Sequence, residues 1–349
     1  MTSERWTLEE VCEKKSSNLM QKDLNLGTGE FPIYGASGLL GYVDFYQRDK
    51  EYIGLVKDGA GVGRAMLLPA KSSCIGTMQY LVPKDCISSH YLYYAVESMN
   101  LAKYNTGATI PHIYFRDYKR ETLPQKGRDE QEYIASNLDK VVGTIRKRRL
   151  QLQFFDDLVK SQFIEMFGDP AKNDKGWKQT TLKEVAKGKL SYGSGASAVE
   201  YDGETRYIRI TDITDNGELS EDRKSPSVVD EKYLLHDGDI LFARSGATVG
   251  KTFLYRSTDG RGIYAGYLIR IIPNQDMVLP QYVFNYTKTD YYASFVRDCQ
   301  RAVAQPNINA QEYGNLMICV PPIELQEQFT RFVEQTDKSK ILFDMEVAA

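Results

Sequence analysis

The chain has 349 residues, of which 42% are hydrophobic and 26% are charged, and its formal net charge is -3. This length is about twice that of a typical domain, so we expect two hydrophobic cores. No apolar run approaches the roughly 20 residues of a membrane-spanning helix, and the charged N-terminus lacks the apolar segment of a secretion signal, so we expect a cytoplasmic protein without a membrane segment. The slightly acidic balance does not favour nucleic-acid binding.

Cysteine and histidine usage argues against a metal site. Five cysteines at scattered spacings, without a Cys-x-x-Cys pair, and three histidines favour free thiols over a disulfide framework or a structural zinc site. The Asp/Asn-Pro-Pro-Tyr/Phe tetrapeptide of amino-methyltransferases is missing, as is a nuclease-like carboxylate cluster ahead of a lysine. We therefore expect no cofactor and no catalysis by this chain.

The first half of the chain has the pattern of a mixed α+β domain. It opens with Trp6 and a short amphipathic turn. Runs of β-branched and aromatic residues predict strands, and apolar residues at helical spacing predict a helix. In chain order these segments are a strand over 52–56, a glycine-rich turn over 58–64, a strand over 78–82, a helix over 89–100 and a polar turn over 109–113.

A long helix is predicted from Arg128 to Phe167, where the chain has no proline. Apolar residues recur there at alternating steps of four and three, interrupted only by Arg148 and Gln162, which indicates a coiled-coil seam of Ile134, Leu138, Val141, Ile145, Leu152, Phe155, Val159 and Met166. The stop signal Gly168-Asp169-Pro170 follows.

A basic block, Arg146-Lys147-Arg148-Arg149, interrupts this helix. Three explanations remain open: a solvated helical face, docking to an acidic partner, or contact with DNA between two binding sites. Solvation alone does not explain Arg148, because that residue falls in the predicted seam.

The second half repeats the landmarks of the first half in the same order, which indicates a tandem duplication. Its predicted strands lie over 207–213, 239–243 and 267–272, and its predicted helix over 281–297. The matched landmarks are Trp6 with Trp177, the turn 58–67 with 245–254, Ile110-Pro111-His112-Ile113 with Gln305-Pro306-Asn307-Ile308, Tyr118 with Tyr313, and Gln131-Glu132 with Gln326-Glu327.

A second helix with the same heptad spacing follows Pro321-Pro322, but it is shorter and has Thr336 and Lys340 at seam positions. We expect an α+β fold with two similar globular domains that are joined and closed by two long, antiparallel coiled-coil helices. This arrangement is a dumbbell with a pseudo-twofold axis. The expected segments are a domain over 1–125, a helix over 126–168, a domain over 169–321 and a shortened helix over 322–349.

The glycine-rich turns are the first candidate binding site. The turn from Gly246 to Thr252 is one residue too short between its glycines for a phosphate loop, and Arg64-Ala65 replaces the Lys-Thr pair in the first half. Two alternatives remain: a structural turn, or a backbone that approaches DNA while neighbouring side chains contact phosphates or guanine edges. These side chains are Lys57, Arg64, Arg244, Ser245 and Lys251.

The second candidate site is a polar turn that contains Arg301, Gln305, Asn307 and Asn309, with Thr109 and His112 as its counterparts in the first half. Asparagine and glutamine can bond adenine through two hydrogen bonds, whereas the alternative is a loop whose amides satisfy their own backbone. No Ser, Cys or carboxylate motif surrounds His112 in the sequence, so we expect no catalytic role for it.

Taken with these motifs, the chain resembles the specificity subunit of type I restriction-modification systems over nearly its whole length. The resemblance rests on the tryptophan-led openings, the turn 244–251, the Gln305 to Ile308 turn and the Pro-Pro-Ile-x-x-Gln pattern at 321–326. It implies two target-recognition domains that alternate with two helical regions. Each domain would recognise half of a split double-stranded DNA sequence in the major groove, and the helices would set the spacer.

The same resemblance implies partners. Two methyltransferase subunits would dock on this chain and transfer a methyl group from S-adenosylmethionine to adenine N6, and restriction subunits would join them. Two alternatives of other classes stay open. One is a stand-alone restriction or methylation enzyme, which would need the missing motifs. The other is a coiled-coil scaffold that does not bind nucleic acid, and the negative net charge is more consistent with this alternative.

Overall fold

The computed structural model describes residues 4–27, 29–107, 110–301 and 307–348. The chain divides into two compact units, Met1–Arg148 and Arg149–Ala349. The boundary falls within the predicted long helix, which runs from Arg128 to Phe167 and has 40 residues. No helix within the described ranges is both long and apolar enough to cross a bilayer.

The strands of the first unit are β1 (Arg5–Thr7), β2 (Cys12–Ser16), β3 (Phe31–Gly35), β4 (Gly38–Val43), β5 (Tyr52–Val56), β6 (Ala65–Leu68), β7 (Ser73–Cys74), β8 (Met78–Pro83) and β9 (Thr122–Pro124). They form an antiparallel sheet with strand order β2-β8-β5-β6, a smaller sheet with order β4-β3-β7 and the pair β1-β9. The helices are α1 (Leu8–Val11), α2 (Ser89–Ser98), α3 (Phe115–Tyr118) and the start of α4 (Arg128–Phe167).

The strands of the second unit are β10 (Lys178–Thr181), β11 (Ser191–Tyr192), β12 (Ala198–Glu200), β13 (Arg206–Ile208), β14 (Lys224–Pro226), β15 (Ile240–Ala243), β16 (Thr252–Leu254), β17 (Gly262–Tyr264), β18 (Leu268–Ile271) and β19 (Met317–Val320). They form an antiparallel sheet with strand order β11-β18-β15-β16, and the pairs β10-β19, β12-β14 and β13-β17. The helices are α5 (Pro280–Tyr286), α6 (Asp290–Arg301), α7 (Ala310–Gly314) and α8 (Ile323–Ala348).

The duplication predicted from the sequence is confirmed by the topology of the two units. Their main sheets have the same strand order, with β2, β8, β5 and β6 equivalent to β11, β18, β15 and β16. In each unit the tryptophan-led segment lies at a strand that pairs antiparallel with the strand just before a long helix, β1 with β9 and β10 with β19. Both units also contain one parallel pair, β3 with β7 and β13 with β17.

One predicted strand is wrong over most of its length. The run 207–213 is rich in β-branched residues, but the strand β13 ends at Ile208 and a single 3-10 turn follows at Ile210–Asp212. The buried carboxylate of Asp212 accepts a hydrogen bond from the backbone N–H of Arg209 at 2.8 Å and pairs with its guanidinium at 2.6 Å. This side chain competes with the sheet for the backbone, and it overrides the strand propensity.

The C-terminal part of α4 packs into the core of the second unit, but not with the predicted seam residues alone. Val159 is buried as expected, whereas Met166 is only partly buried and the fully buried positions are Phe163 and Phe167. The buried residues Val159, Phe163 and Phe167 follow one another at intervals of four residues, as expected for a helix that covers a globular core with one face. Further towards the N-terminus of α4, the predicted seam residues Leu138, Val141 and Ile145 are exposed.

Within this unit, α4 and α8 contact each other through aromatic rings and one ion pair. The Phe329 ring centroid lies 5.4 Å from those of Phe163 and Phe167. Further along both helices, Lys340 Nζ lies 2.7 Å from Asp156 Oδ1. The Thr336 hydroxyl donates to the Phe332 carbonyl at 3.0 Å, so this buried polar residue is satisfied by its own helix. Phe329 near the start of α8 contacts Phe163 and Phe167 at the end of α4, whereas Lys340, later in α8, contacts the earlier residue Asp156. The two segments therefore run in opposite directions.

A buried glutamine joins the start of each long helix to its unit. In α4, the Gln131 carbonyl oxygen accepts from Ser88 N at 2.8 Å, and its amide nitrogen donates to the carbonyls of Cys86 and Lys126 at 2.9 Å each. In α8, Gln326 accepts from Leu279 N at 2.8 Å and donates to the carbonyls of Met277 and Pro321 at 3.0 and 2.8 Å. Ser88 and Leu279 are the N-cap residues of α2 and α5. The two glutamines therefore make equivalent contacts.

We expect Gln326→Met to lower the free energy of unfolding of the second unit by about 2–4 kcal/mol, because the apolar side chain keeps the volume but leaves buried backbone groups without partners. The measurement is urea unfolding. Gln328→Met is the matched control, since Gln328 is exposed on the same helix. Equal effects of the two substitutions would show that the buried amide is not a structural tie.

Candidate nucleic-acid interface

The two glycine-rich turns are equivalent hairpin loops, one between β5 and β6 and the other between β15 and β16. In the first, Gly63 N donates to Val56 O at 2.8 Å, and in the second Gly250 N donates to Ala243 O at 3.0 Å. Both glycines have a positive φ, 85° and 89°. This backbone conformation is unfavourable for residues with a Cβ, so the repeated glycines in the sequence have a conformational cause.

The structure brings the two candidate motifs together in each unit. In the first unit, Asp58 forms a β-bridge with His112, and Ile113 N donates to Lys57 O at 3.0 Å. In the second unit, Ser245 forms the equivalent bridge with Asn307, and Ile308 N donates to Arg244 O at 2.8 Å. We call these two places the loop junctions. The sequence matched the motifs between the halves but did not predict that they touch within a half.

The loop junction of the first unit has an acidic centre. The Asp58 carboxylate contacts the Nδ1 atom of His112, and its other oxygen lies 3.7 Å from Lys57 Nζ. The His112 ring also lies 4.1 Å from the Tyr114 ring, measured between centroids. The sequence around His112 contains no carboxylate motif, and its carboxylate partner comes from the other candidate loop.

The loop junction of the second unit has a basic centre. The Arg244 guanidinium lies 4.7 Å from the centroid of the Tyr192 ring, and its Nε donates to Asn307 Oδ1 at 3.2 Å. The Tyr192 hydroxyl accepts from Ala310 N at 3.0 Å, which fixes the hydroxyl end of the ring. Tyr192 was not predicted as a site residue, since nothing in its local sequence distinguishes it from the other tyrosines.

Two of the predicted site residues have structural roles in the second unit. Lys251 Nζ lies 2.8 Å from Asp215 Oδ1 and donates to Ile213 O at 3.3 Å. Its hydrogen bond to the Asp215 carboxyl lowers the pKa of that group. Asn309 is the N-cap of α7, and its side-chain oxygen accepts from the N–H groups of Gln311 and Glu312 at 2.9 Å each. This is the self-satisfied loop that the sequence left open as an alternative for Asn309.

Among the remaining predicted residues, four are exposed, one is partly buried, and three have side chains outside the described part of the structure. Arg64 is exposed in the first glycine loop. In the basic block of α4, Arg146, Lys147 and Arg149 are exposed, and Arg148 is partly buried. Of Arg301 only the backbone is described, at the end of α6. Thr109 and Gln305 lie outside the described residues.

The family model and the similar proteins of known name all indicate the same family. The family model described as the type I restriction modification DNA specificity domain matches residues 2–153 and 174–344. The MjaVIII type I restriction enzyme specificity subunit of Methanocaldococcus jannaschii is 23% identical over 317 residues, which are 81% of this chain and 71% of that protein. The MjaIX specificity subunit of the same organism is 21% identical over 281 residues, which are 73% of this chain and 63% of that protein.

A solved structure shows the same fold. The crystal structure of a type I restriction-modification system S subunit from M. genitalium aligns with a TM-score of 0.66, and it covers 100% of this chain and 92% of that chain at 15% sequence identity. At this identity the likeness concerns the fold alone and does not extend to the side chains at the loop junctions.

We expect Gly63→Ala to destabilise the first unit more than Gly59→Ala. Both glycines have a positive φ, at 85° and 83°, which costs an alanine about 1–2 kcal/mol. A Cβ at Gly63 would also lie 2.4 Å from Ala102 N, whereas one at Gly59 has nothing within 4 Å. Chemical denaturation of both variants measures the difference. If the two variants lost the same stability, the close packing of the loop against residues 101–102 would be contradicted.

Proposed function

Because this chain belongs to the type I restriction-modification DNA specificity family, we propose that its two units recognise the two halves of one split DNA sequence. The chain is a recognition subunit and is not itself catalytic. The observation that carries the proposal is the pair of loop junctions, which have the same backbone pairing and different side chains. Equivalent scaffolds with different polar groups are suited to two different half-sites.

The proposed DNA contacts are the side chains of the loop junctions and of the segments next to them. Charged side chains at the edges of the loops would contact phosphates, and polar groups at the centre would contact base edges in the major groove. The residues are Lys57, Arg64, His112, Arg244, Ser245 and Asn307, together with Thr109, Arg301 and Gln305. Lys251 and Asn309 would act by holding their loops.

The proposed role of the helices is to set the distance between the two recognition domains, over 1–125 and 169–321, by an antiparallel, pseudo-twofold pairing of the helices over 126–168 and 322–349. The opposite direction of α4 and α8 within the second unit supports this pairing, as does the ion pair of Lys340 with Asp156, because a charged pair at a helix seam favours one register.

The proposed partners are two methyltransferase subunits, which would dock on the helices and supply adenine methylation from S-adenosylmethionine, and restriction subunits in the full complex. The basic block Arg146 to Arg149 lies near the middle of α4. Its exposed cations suit an acidic surface of a partner or the phosphates of the spacer DNA.

Co-expression with the cognate methyltransferase subunit in a host that lacks both is expected to add adenine methylation at one asymmetric motif of two specific parts with an unspecified spacer. Methylome sequencing detects the motif. Cells that contain the methyltransferase alone are the control. A stable complex that modifies no new motif would contradict the proposed function.

Exchange of residues 1–125 for the corresponding segment of a relative with a different target is expected to change one half of the methylated motif and leave the other half intact, because each unit contains its own loop junction. Methylome sequencing again provides the measurement, with exchange of residues 169–321 as the reciprocal control. A change of both halves by one exchange would show that the two units do not act separately.

A further inference from the structure

We propose that Arg244 recognises a guanine in the half-site of the second unit, and that Tyr192 and Asn307 orient its guanidinium. This inference rests on the proposed function, and it goes further by assigning a base to one side chain. The geometry points to guanine through three features: the orientation of the guanidinium, its lack of a carboxylate partner among the described residues, and the different chemistry of the equivalent position in the first unit.

The guanidinium of Arg244 is held from two sides. Its central carbon, Cζ, lies 4.7 Å from the Tyr192 ring centroid, and its Nε donates to Asn307 Oδ1 at 3.2 Å. Stacking on an aromatic face together with a hydrogen bond at Nε leaves the two terminal nitrogens as the available donors. A side chain that is already ordered loses less conformational entropy when it binds.

The groups that orient Arg244 are themselves fixed by the backbone. Arg244 O accepts from Ile308 N at 2.8 Å, Arg244 N donates to Tyr267 O at 3.1 Å, and the Tyr192 hydroxyl accepts from Ala310 N at 3.0 Å. Tyr192 lies at the end of β11, which pairs with β18, and Asn307 lies in the bridge to Ser245. Two separate segments of the second unit therefore converge on the guanidinium, and a third, at Tyr267, fixes the backbone of Arg244.

The charge of Arg244 is not neutralised within the described part of the chain. Among those residues Arg244 forms no ion pair, and its terminal nitrogens have no hydrogen-bond partner. Lys251 in the same loop differs, since its ammonium lies 2.8 Å from Asp215 Oδ1. Of these two cations, Arg244 is the one that can act on a ligand without first breaking a contact.

Guanine is the base whose major-groove edge fits this donor set. It presents two adjacent acceptors, N7 and O6, and the parallel N–H groups of a guanidinium bond both at once. Adenine offers an acceptor next to an amino donor, so the second N–H of the arginine would face another donor. A phosphate would also accept from Arg244, and this alternative predicts a loss of affinity without a loss of base preference.

The first unit has different chemistry at the same place. Lys57 takes the position of Arg244, and its ammonium lies 3.7 Å from a carboxylate oxygen of Asp58, which takes the position of Ser245. A carboxylate at the centre of the junction accepts hydrogen bonds and disfavours the acceptor edge of guanine. The guanine assignment therefore belongs to the half-site of the second unit alone.

The test is competition binding by the assembled complex with its methyltransferase subunits, on duplexes that carry the methylome-defined motif. Each G·C pair in the half-site of the second unit is replaced in turn by A·T, and each guanine by 7-deazaguanine, which lacks N7. For wild type, one guanine position is expected to lose about tenfold in affinity on replacement by A·T, in line with the value of one bidentate contact. 7-Deazaguanine at that position gives a smaller loss.

Arg244→Ala is expected to abolish the discrimination at that position and to leave the other positions of the motif as stringent as in wild type. Tyr192→Leu is expected to reduce the same discrimination partly, since the arginine stays but loses its orientation. Arg223→Ala is the matched control. Arg223 is an exposed arginine of the same unit that lies 5.9 Å over the ring of Tyr201, and its removal is expected to leave the base preference unchanged.

Several outcomes would overturn the assignment. One is an Arg244→Ala complex that keeps full discrimination at every guanine, and another is one that binds all duplexes more weakly by the same factor, which identifies a phosphate contact. If Arg244→Ala does not assemble, Arg244→Met keeps much of the length of the side chain without its donors, and unchanged discrimination in that variant would also overturn it. A wild-type complex without any sequence preference would instead overturn the proposed function.

Discussion

A buried glutamine amide ties each long helix of this protein to the globular unit that precedes it. Gln131 and Gln326 are almost fully buried, and each satisfies one backbone N–H and two backbone carbonyls from segments before the helix. Since unpaired buried polar groups are costly, the helix start keeps one orientation relative to the sheet. In the proposed function, a spacer set by helices depends on this fixed attachment.

In the proposed function, the two units separate the scaffold from the recognition chemistry. Backbone contacts are the same in both loop junctions, from the positive-φ glycines Gly63 and Gly250 to the paired bridges. The side chains on this common frame differ, with the acidic Asp58 at the centre of one junction and the basic Arg244 at the other. A duplicated frame can therefore present different hydrogen-bonding groups to different bases without a change of fold.

Local signals made much of this fold predictable from the sequence. Glycines with a positive φ and the Gln-Glu pairs in the first turn of each long helix repeat because the backbone conformation and the buried glutamine contacts are the same in both units, and they revealed the duplication. Contacts between distant segments were not predictable, and so the pairing of His112 with Asp58 and the stacking of Arg244 on Tyr192 were missed. The heptad spacing correctly indicated the long helix. However, the residue that the helix buries most deeply in the core of the second unit is Phe163, which lies outside the predicted seam.

The claim that two units recognise two half-sites is tested most directly by measuring the affinity of the assembled complex for target duplexes in which each base pair is replaced in turn. Each base pair presents its own pattern of donors and acceptors in the major groove, so replacement of a recognised pair weakens binding. We expect two separate groups of sensitive positions with tolerant positions in the spacer between them. A single continuous sensitive tract, or one sensitive group only, would contradict the claim.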